Sequence, residues 1–178
     1  AVSVTTTLNF SYGSAIGIPN TGIILNNQMD DFSSKPGEPN AYGLIGSKRN
    51  EIEPKKRMLS SMTPTIVFKN KELFLVTGSP GGSRIITTVA QIISNVIDHK
   101  LNIAEATHAP RFHHQWLPDE LRIESDGFSE DTISKLVTMG HNVKINRTMG
   151  STQSITKKGR YLYGSSDPRK PGALTIGY

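Results

Sequence analysis

Between Leu73 and Ile97 the spacing of apolar residues changes from that of a strand to that of a helix across one short segment, Gly78-Ser79-Pro80-Gly81-Gly82. On the near side, Leu73-Phe74-Leu75-Val76-Thr77 and Thr65-Ile66-Val67-Phe68 flank the polar Lys69-Asn70-Lys71-Glu72, the pattern of a β-hairpin. On the far side, Ile85, Ile86, Val89, Ile92, Ile93, Val96 and Ile97 recur at three- and four-residue steps, which predicts an amphipathic helix that packs this stripe into a core. A strand that feeds a helix so abruptly commits the chain to a mixed architecture in which helix covers sheet.

The remaining elements agree with one α+β unit over residues 1–178. Asn102 caps a short helix through Glu105, and Ser129 with Thr132 opens another that stops at Met139-Gly140. Leu121–Glu124, Val143–Asn146, 154–156 and 161–164 read as strands. Val2, Val4 and Leu8 alternate in a Thr-rich opening that predicts a half-buried strand from the first residue. Ile23-Ile24-Leu25 is a further apolar run, followed by the polar cluster of residues 26–31 and a surface loop over residues 33–40.

Composition removes several function classes. No apolar stretch approaches the roughly 18 residues of a membrane span. The absence of cysteine excludes disulfides, thiolate nucleophiles and Cys-bearing zinc sites. The 20 Lys and Arg against 15 Asp and Glu give a net charge of +5. Its clusters, Lys48-Arg49, Lys55-Lys56-Arg57 and Lys157-Lys158, lack interleaved aromatics and read as solvated loops rather than a nucleic-acid face. The first residues, Ala1-Val2-Ser3-Val4, carry neither an initiator Met nor a signal peptide, so the chain reads as a fragment or a processed product.

Several clusters could carry chemistry. Gly81 and Gly82 lie where backbone N–H groups at a helix start can face an anion or oxyanion, although two glycines also suit a plain tight turn. No Lys follows them for a P-loop, and Thr77 stands where a nucleophile elbow around Ser79 needs its first Gly, so Ser79 is not read as a nucleophile. Gln28 and Asp31, three apart, can aim an amide and a carboxylate at one ammonium, or Asp31 can bond nearby backbone N–H groups in a turn. Ser60-Ser61 offers two hydroxyls to a carboxylate or to turn hydrogen bonds. His113 and His114, on opposite faces of a strand, read as packing with Trp116 rather than as metal ligands. Asp167-Pro168-Arg169 reads as a turn with a surface ion pair.

Four strings say more than their spacing: residues 25–32 (LNNQMDDF), 59–65 (LSSMTPT), 77–85 (TGSPGGSRI) and 109–116 (APRFHHQW). In this order they closely resemble the small, C-terminal subunit of bacterial γ-glutamyltranspeptidases, and the resemblance extends over the whole chain to Gly164-Ser165-Ser166-Asp167-Pro168-Arg169. It implies an N-terminal-nucleophile hydrolase whose precursor cuts itself into a large and a small subunit, with a four-layer αββα fold built from both. It also implies an enzyme, a γ-glutamyltransferase or glutathione hydrolase, in which a Thr attacks the γ-glutamyl amide of glutathione or a related donor. The resulting ester passes its acyl group to water or to an amino acid or peptide acceptor.

The family's Thr-Thr-His motif belongs ahead of the segment matching Ala1, so the fragment alone is expected to be inactive. By the same resemblance Thr7 hydrogen-bonds the nucleophile, Asn9, Gln28 and Asp31 hold the donor's α-amine, and Ser60 and Ser61 take its α-carboxylate with help from an Arg of the large subunit. Gly81 and Gly82 donate to the tetrahedral oxyanion. Residues 33–43 form a lid gated by Tyr42, a feature that many of the related cephalosporin acylases lack. No metal or organic cofactor is implied, and family habit places the protein in the periplasm or outside the cell. The alternatives are a related acylase and a basic, non-enzymatic module that keeps the scaffold and contacts a polyanion.

Overall fold

The computed structural model describes residues 1–177, which gather into two compact units, one formed by Ala1–Thr5 with the chain from Met62 onward and the other by Thr6–Ser61. In the first, β1 (Thr65–Lys69) and β2 (Glu72–Gly78) form the expected hairpin. They join β6 (Gln153–Lys158) and β7 (Tyr161–Ser166) in an antiparallel sheet of order β1-β2-β6-β7. A second sheet pairs β3 (Phe112–His113) antiparallel with β4 (Leu121–Glu124), and β4 parallel with β5 (Val143–Asn146). Three helices, α1 (Arg84–Ile97), α2 (Ile103–His108) and α3 (Glu130–Thr138), complete an α+β unit.

The predicted stripe is the core. Ile85, Val89, Ile92 and Val96 of α1 are buried, and Ile92 and Val96 cluster with Leu75 of β2 and with Ile103 and Ala106 of α2. Burial of each large aliphatic side chain contributes about 1.5–3 kcal/mol. Ile86 and Ile97, expected in the same stripe, lie at its margins and stay exposed. α2 starts in a reciprocal capping box, with the Asn102 side chain accepting from the Glu105 N–H and the Glu105 carboxylate from the Asn102 N–H. Ser129 caps α3 through the Thr132 N–H, and Gly140 leaves it with a positive φ of 94°.

The opening residues do not form the strand their alternation predicts. Both edges of β2 are taken, by β1 and by β6, so Ser3 reaches it only through its hydroxyl, which donates to the Thr77 carbonyl at 2.7 Å. Val2 and Val4 remain exposed.

The second unit has little regular structure. Two 3-10 turns, Gln28–Asp31 and Lys48–Asn50, and three isolated bridges, Gly17 with Ile24, Ser33 with Glu51 and Pro39 with Ile45, set its course. Side-chain amides do the work that ladders do elsewhere: Asn27, Asn40 and Asn50 each bond backbone groups distant in sequence. Ile23, Ile24 and Leu25 are exposed.

Candidate functional site

Within the first unit, β2 ends at Gly78 and the chain reverses through Pro80-Gly81-Gly82 into α1. Gly81 and Gly82 have φ of 142° and 60°, values a side chain resists. Their carbonyls already accept from the Arg84 and Ile85 N–H groups, which starts the helix. The turn is therefore wound through positive φ at the positive end of a 14-residue helix, an arrangement suited to holding a developing negative charge. Ser79, set aside as a nucleophile, is buried, and its hydroxyl is occupied: it donates to the Pro80 carbonyl at 2.7 Å and accepts from the Ser151 N–H at 3.0 Å.

Within the second unit, Thr7 and Asn9 are linked by the Asn9 N–H donating to Thr7 Oγ1 at 2.9 Å, with Asn9 at a left-handed φ of 74°. Asn9 Nδ2 reaches the Asn27 carbonyl next to Gln28, and the Tyr42 hydroxyl donates to the Asn9 carbonyl at 3.2 Å. Phe10 stacks edge-on against Tyr42 at 5.9 Å. Gln28 and Asp31 open and close a single 3-10 turn, so the three-residue spacing does place them on one turn. Asn50 ties that turn to Leu59, the residue ahead of the serine pair: its Nδ2 donates to the Asp31 carbonyl at 2.7 Å, and its Oδ1 accepts from the Leu59 N–H at 3.0 Å. Burial, reinforced by the neighbouring Asp30 charge, pushes the Asp31 carboxyl above its usual range. A carboxylate in that state gains from a cation brought to it.

Residues 33–43 are held at several points. Asn40 Nδ2 donates to the Asp30 carbonyl, and Asn40 Oδ1 accepts from the Tyr42 and Leu44 N–H groups, an Asx turn at the tip. Ser33, at the start, is buried.

Two readings of polar residues need correction. Asp167 and Arg169 are not a surface pair: Asp167 is 1% exposed and sits in a four-charge network. Asp167 Oδ2 accepts from Arg111 Nη2 at 2.5 Å, Arg169 bridges Asp167 Oδ1 at 3.2 Å and Glu124 Oε2 at 2.6 Å, and Arg111 is 2% exposed. Burial alone would raise the Asp167 carboxyl. The Arg111 charge and the Arg169 and Thr152 N–H groups more than offset it and hold it below the usual range. Nor does His113 pack on Trp116, which is 75% exposed with φ of 71°. His113 is buried between Thr87 Oγ1 at 2.8 Å and Gln115 Oε1 at 2.9 Å, and burial holds its imidazole below the usual pKa, while His114 faces outward to Asp119. No group of three or more potential metal-ligating side chains occurs among the described residues, and no described helix is long and apolar enough to cross a membrane.

Against known proteins, the family model described as gamma-glutamyltranspeptidase matches residues 1–177. The glutathione hydrolase proenzyme of Escherichia coli K12 is 60% identical across the whole chain, which covers 31% of that protein. The chain spans about a third of the length of the curated relatives it matches. Among solved structures, a mutant of Helicobacter pylori gamma-glutamyltranspeptidase superposes with a TM-score of 0.92 at 59% identity, covering 95% of this chain and 93% of that one. Gamma-glutamyltranspeptidase from Pseudomonas nitroreducens superposes with a TM-score of 0.94 at 43% identity, covering 99% and 93%.

Proposed function

Because this chain belongs to the γ-glutamyltranspeptidase family, we propose that it is the small-subunit part of an enzyme that cleaves the γ-glutamyl amide of glutathione and related donors. The acyl group passes to water or to an amino acid or peptide through a γ-glutamyl ester on a Thr, which by the family pattern belongs to a segment outside these 178 residues. The observation that carries the reading is the turn at Gly81 and Gly82, whose backbone takes positive φ at the start of α1. Its N–H groups are assigned to the tetrahedral oxyanion, a transition-state interaction typically worth about 3–4 kcal/mol per donor.

The remaining roles are those that the family resemblance implies, and they fit the chemistry of the donor. Thr7 hydrogen-bonds the nucleophilic hydroxyl. Asn9, Gln28 and Asp31 receive the donor's α-ammonium, with Asp31 supplying the charge. Ser60 and Ser61 take the α-carboxylate alongside an Arg of the large subunit. Residues 33–43, with Tyr42 as the gate, cover the donor and keep water from the ester. The large subunit of the same precursor is the partner that completes the αββα fold, and the assembled protein works in the periplasm or outside the cell.

Asp31→Asn in the complete protein tests the reading. It keeps size and an acceptor oxygen while deleting the charge. The expected result is a donor KM raised on the order of thirtyfold or more, equivalent to about 2–5 kcal/mol, with the melting temperature preserved because the charged form of a carboxyl whose pKa is raised in the folded chain is not itself stabilising. A γ-glutamyl analogue lacking the α-amine should not distinguish the two proteins. An unchanged KM for the amine-bearing donor removes Asp31 from the site.

A further inference from the structure

We propose that Ser79 is a positioning residue for the oxyanion turn, coupling the Gly81 and Gly82 backbone to the buried ionic network through residues 149–152. The inference rests on the assignment of that turn to the oxyanion and adds the part of the molecule that holds it in place.

A donor pair in a glycine turn has a physical difficulty. Gly81 and Gly82 have no side chains to fix them, and glycine is the residue with the widest choice of backbone conformations. Electrostatic stabilisation of a transition state depends on dipoles already aimed when the charge appears. Something outside the turn has to hold it. The Ser79 hydroxyl bonds on both sides of the problem: it donates to the Pro80 carbonyl, the peptide unit immediately before Gly81, and accepts from the Ser151 N–H. The bond to Ser151 is buried and the bond to Pro80 partly so, with Ser79 and Ser151 2% and 3% exposed.

Residues 149–152 are in turn fastened to the four-charge network. The Met149 N–H donates to Glu124 Oε1 at 2.7 Å, the Met149 carbonyl accepts from Arg111 Nη1 at 2.7 Å, and the Thr152 N–H donates to Asp167 Oδ2 at 2.8 Å. Gly150 shows how closely this segment lies beneath the turn. With φ of 68°, a Cβ there would fall 2.8 Å from Ser79 Oγ and 3.0 Å from Thr88 on α1, and a Cβ on Gly81 would touch Gly150 Cα at 3.7 Å. Ser79 thus links the glycine turn to a segment clamped by three charged residues. Glycine at 150 leaves room for the link.

The test uses the complete, processed protein. Wild type, Ser79→Ala and Ser79→Cys are compared with a chromogenic γ-glutamyl anilide, together with their melting temperatures. Acylation and deacylation both pass through a tetrahedral oxyanion, so kcat reads the turn whichever step is slower. Ser79→Ala is expected to lower kcat ten- to hundredfold with KM within twofold, and Ser79→Cys, which keeps a slightly larger group with weaker hydrogen bonding at the same position, to fall between. Wild-type kcat in a folded Ser79→Ala overturns the proposal. So does a loss of kcat that is recovered by assaying at a temperature where the variant is fully folded, because that is a structural role only. Should Ser79→Ala not fold, Ser79→Cys decides alone: reduced kcat at unchanged KM supports the link, and wild-type kcat rejects it. A wild type that does not turn over the anilide overturns the assigned reaction instead, and with it the premise.

Discussion

Asp167→Asn isolates the charge at the centre of the buried network. The substitution preserves shape and one acceptor oxygen, so the two Arg169 bonds to Oδ1 can persist. What goes is the negative charge facing Arg111 Nη2, the Thr152 N–H and Thr152 Oγ1. In the native protein two guanidinium groups, of Arg111 and Arg169, balance two carboxylates, of Asp167 and Glu124, with Arg111 and Asp167 buried and Arg169 at the edge of the site. The variant leaves one excess positive charge there. Breaking a buried pair from one side costs about 3–5 kcal/mol, which outweighs any surface ion pair and takes a large share of the roughly 5–15 kcal/mol available to a domain.

Because the Thr152 N–H donates to the lost carboxylate, hydrogen exchange over residues 149–152 is the direct assay. At about 1.4 kcal/mol per tenfold, protection should fall by roughly two to three and a half decades. The sign with pH follows from the direction of the shift. Asp167 has a folded pKa below its unfolded value, so its contribution is fully present above about pH 4 and is lost as pH falls through the depressed value. Wild type and variant should therefore differ at neutral pH and converge only in strong acid. Replacing Arg111 by Leu in the same protein should cost less than the sum of the two single changes, since it removes the stranded cation. Protection changed less than threefold by Asp167→Asn, or equally by Asp119→Asn on the exposed His114 pair, would refute the assignment of this network as the anchor of residues 149–152.

Other outcomes follow from the second unit. Asp30 adds to the upward shift of Asp31, so the acid limb of donor kcat/KM should begin above the ordinary carboxylate range and move to lower pH in Asp30→Asn; a pH profile of both proteins checks this, and an unmoved limb denies that Asp31 binds the ammonium. Asn50→Ala deletes bonds to the Asp31 carbonyl and the Leu59 N–H and should destabilise the unit by about 1–3 kcal/mol while raising donor KM, read by denaturation and steady-state kinetics. Deleting residues 33–43 should widen selectivity toward larger acyl amides and increase hydrolysis relative to transfer, since a lid excludes solvent; unchanged selectivity would make the segment a plain connection.

What the sequence disclosed and what it hid divide along one line, the distance between interacting residues. The hairpin of β1 and β2, the stripe of α1 and the caps of α2 and α3 are written in neighbours three or four apart, or across a short turn, and period and cap chemistry suffice to read them. The glycine pair is legible for the same reason, because its constraint is local backbone geometry. The opening strand fails because alternation in residues 1–8 cannot tell that both edges of β2 are taken by elements that come much later. Asp167-Pro168-Arg169 has every local mark of a solvated turn. Its burial depends on Glu124 and Arg111, 45 and 56 residues away, and a charge can leave water only when such partners arrive. Ser79 has the same history: the local pattern rules it out as a nucleophile, while its occupation depends on Ser151, 72 residues downstream. The groups proposed to touch substrate are thus encoded in short motifs, whereas the contacts that hold the backbone around Ser79 and Asp167 are made by partners far away in sequence. Mutational tests confined to Gly81 or Asp31 would miss that second layer, and Ser79 and Asp167 are where it can be measured.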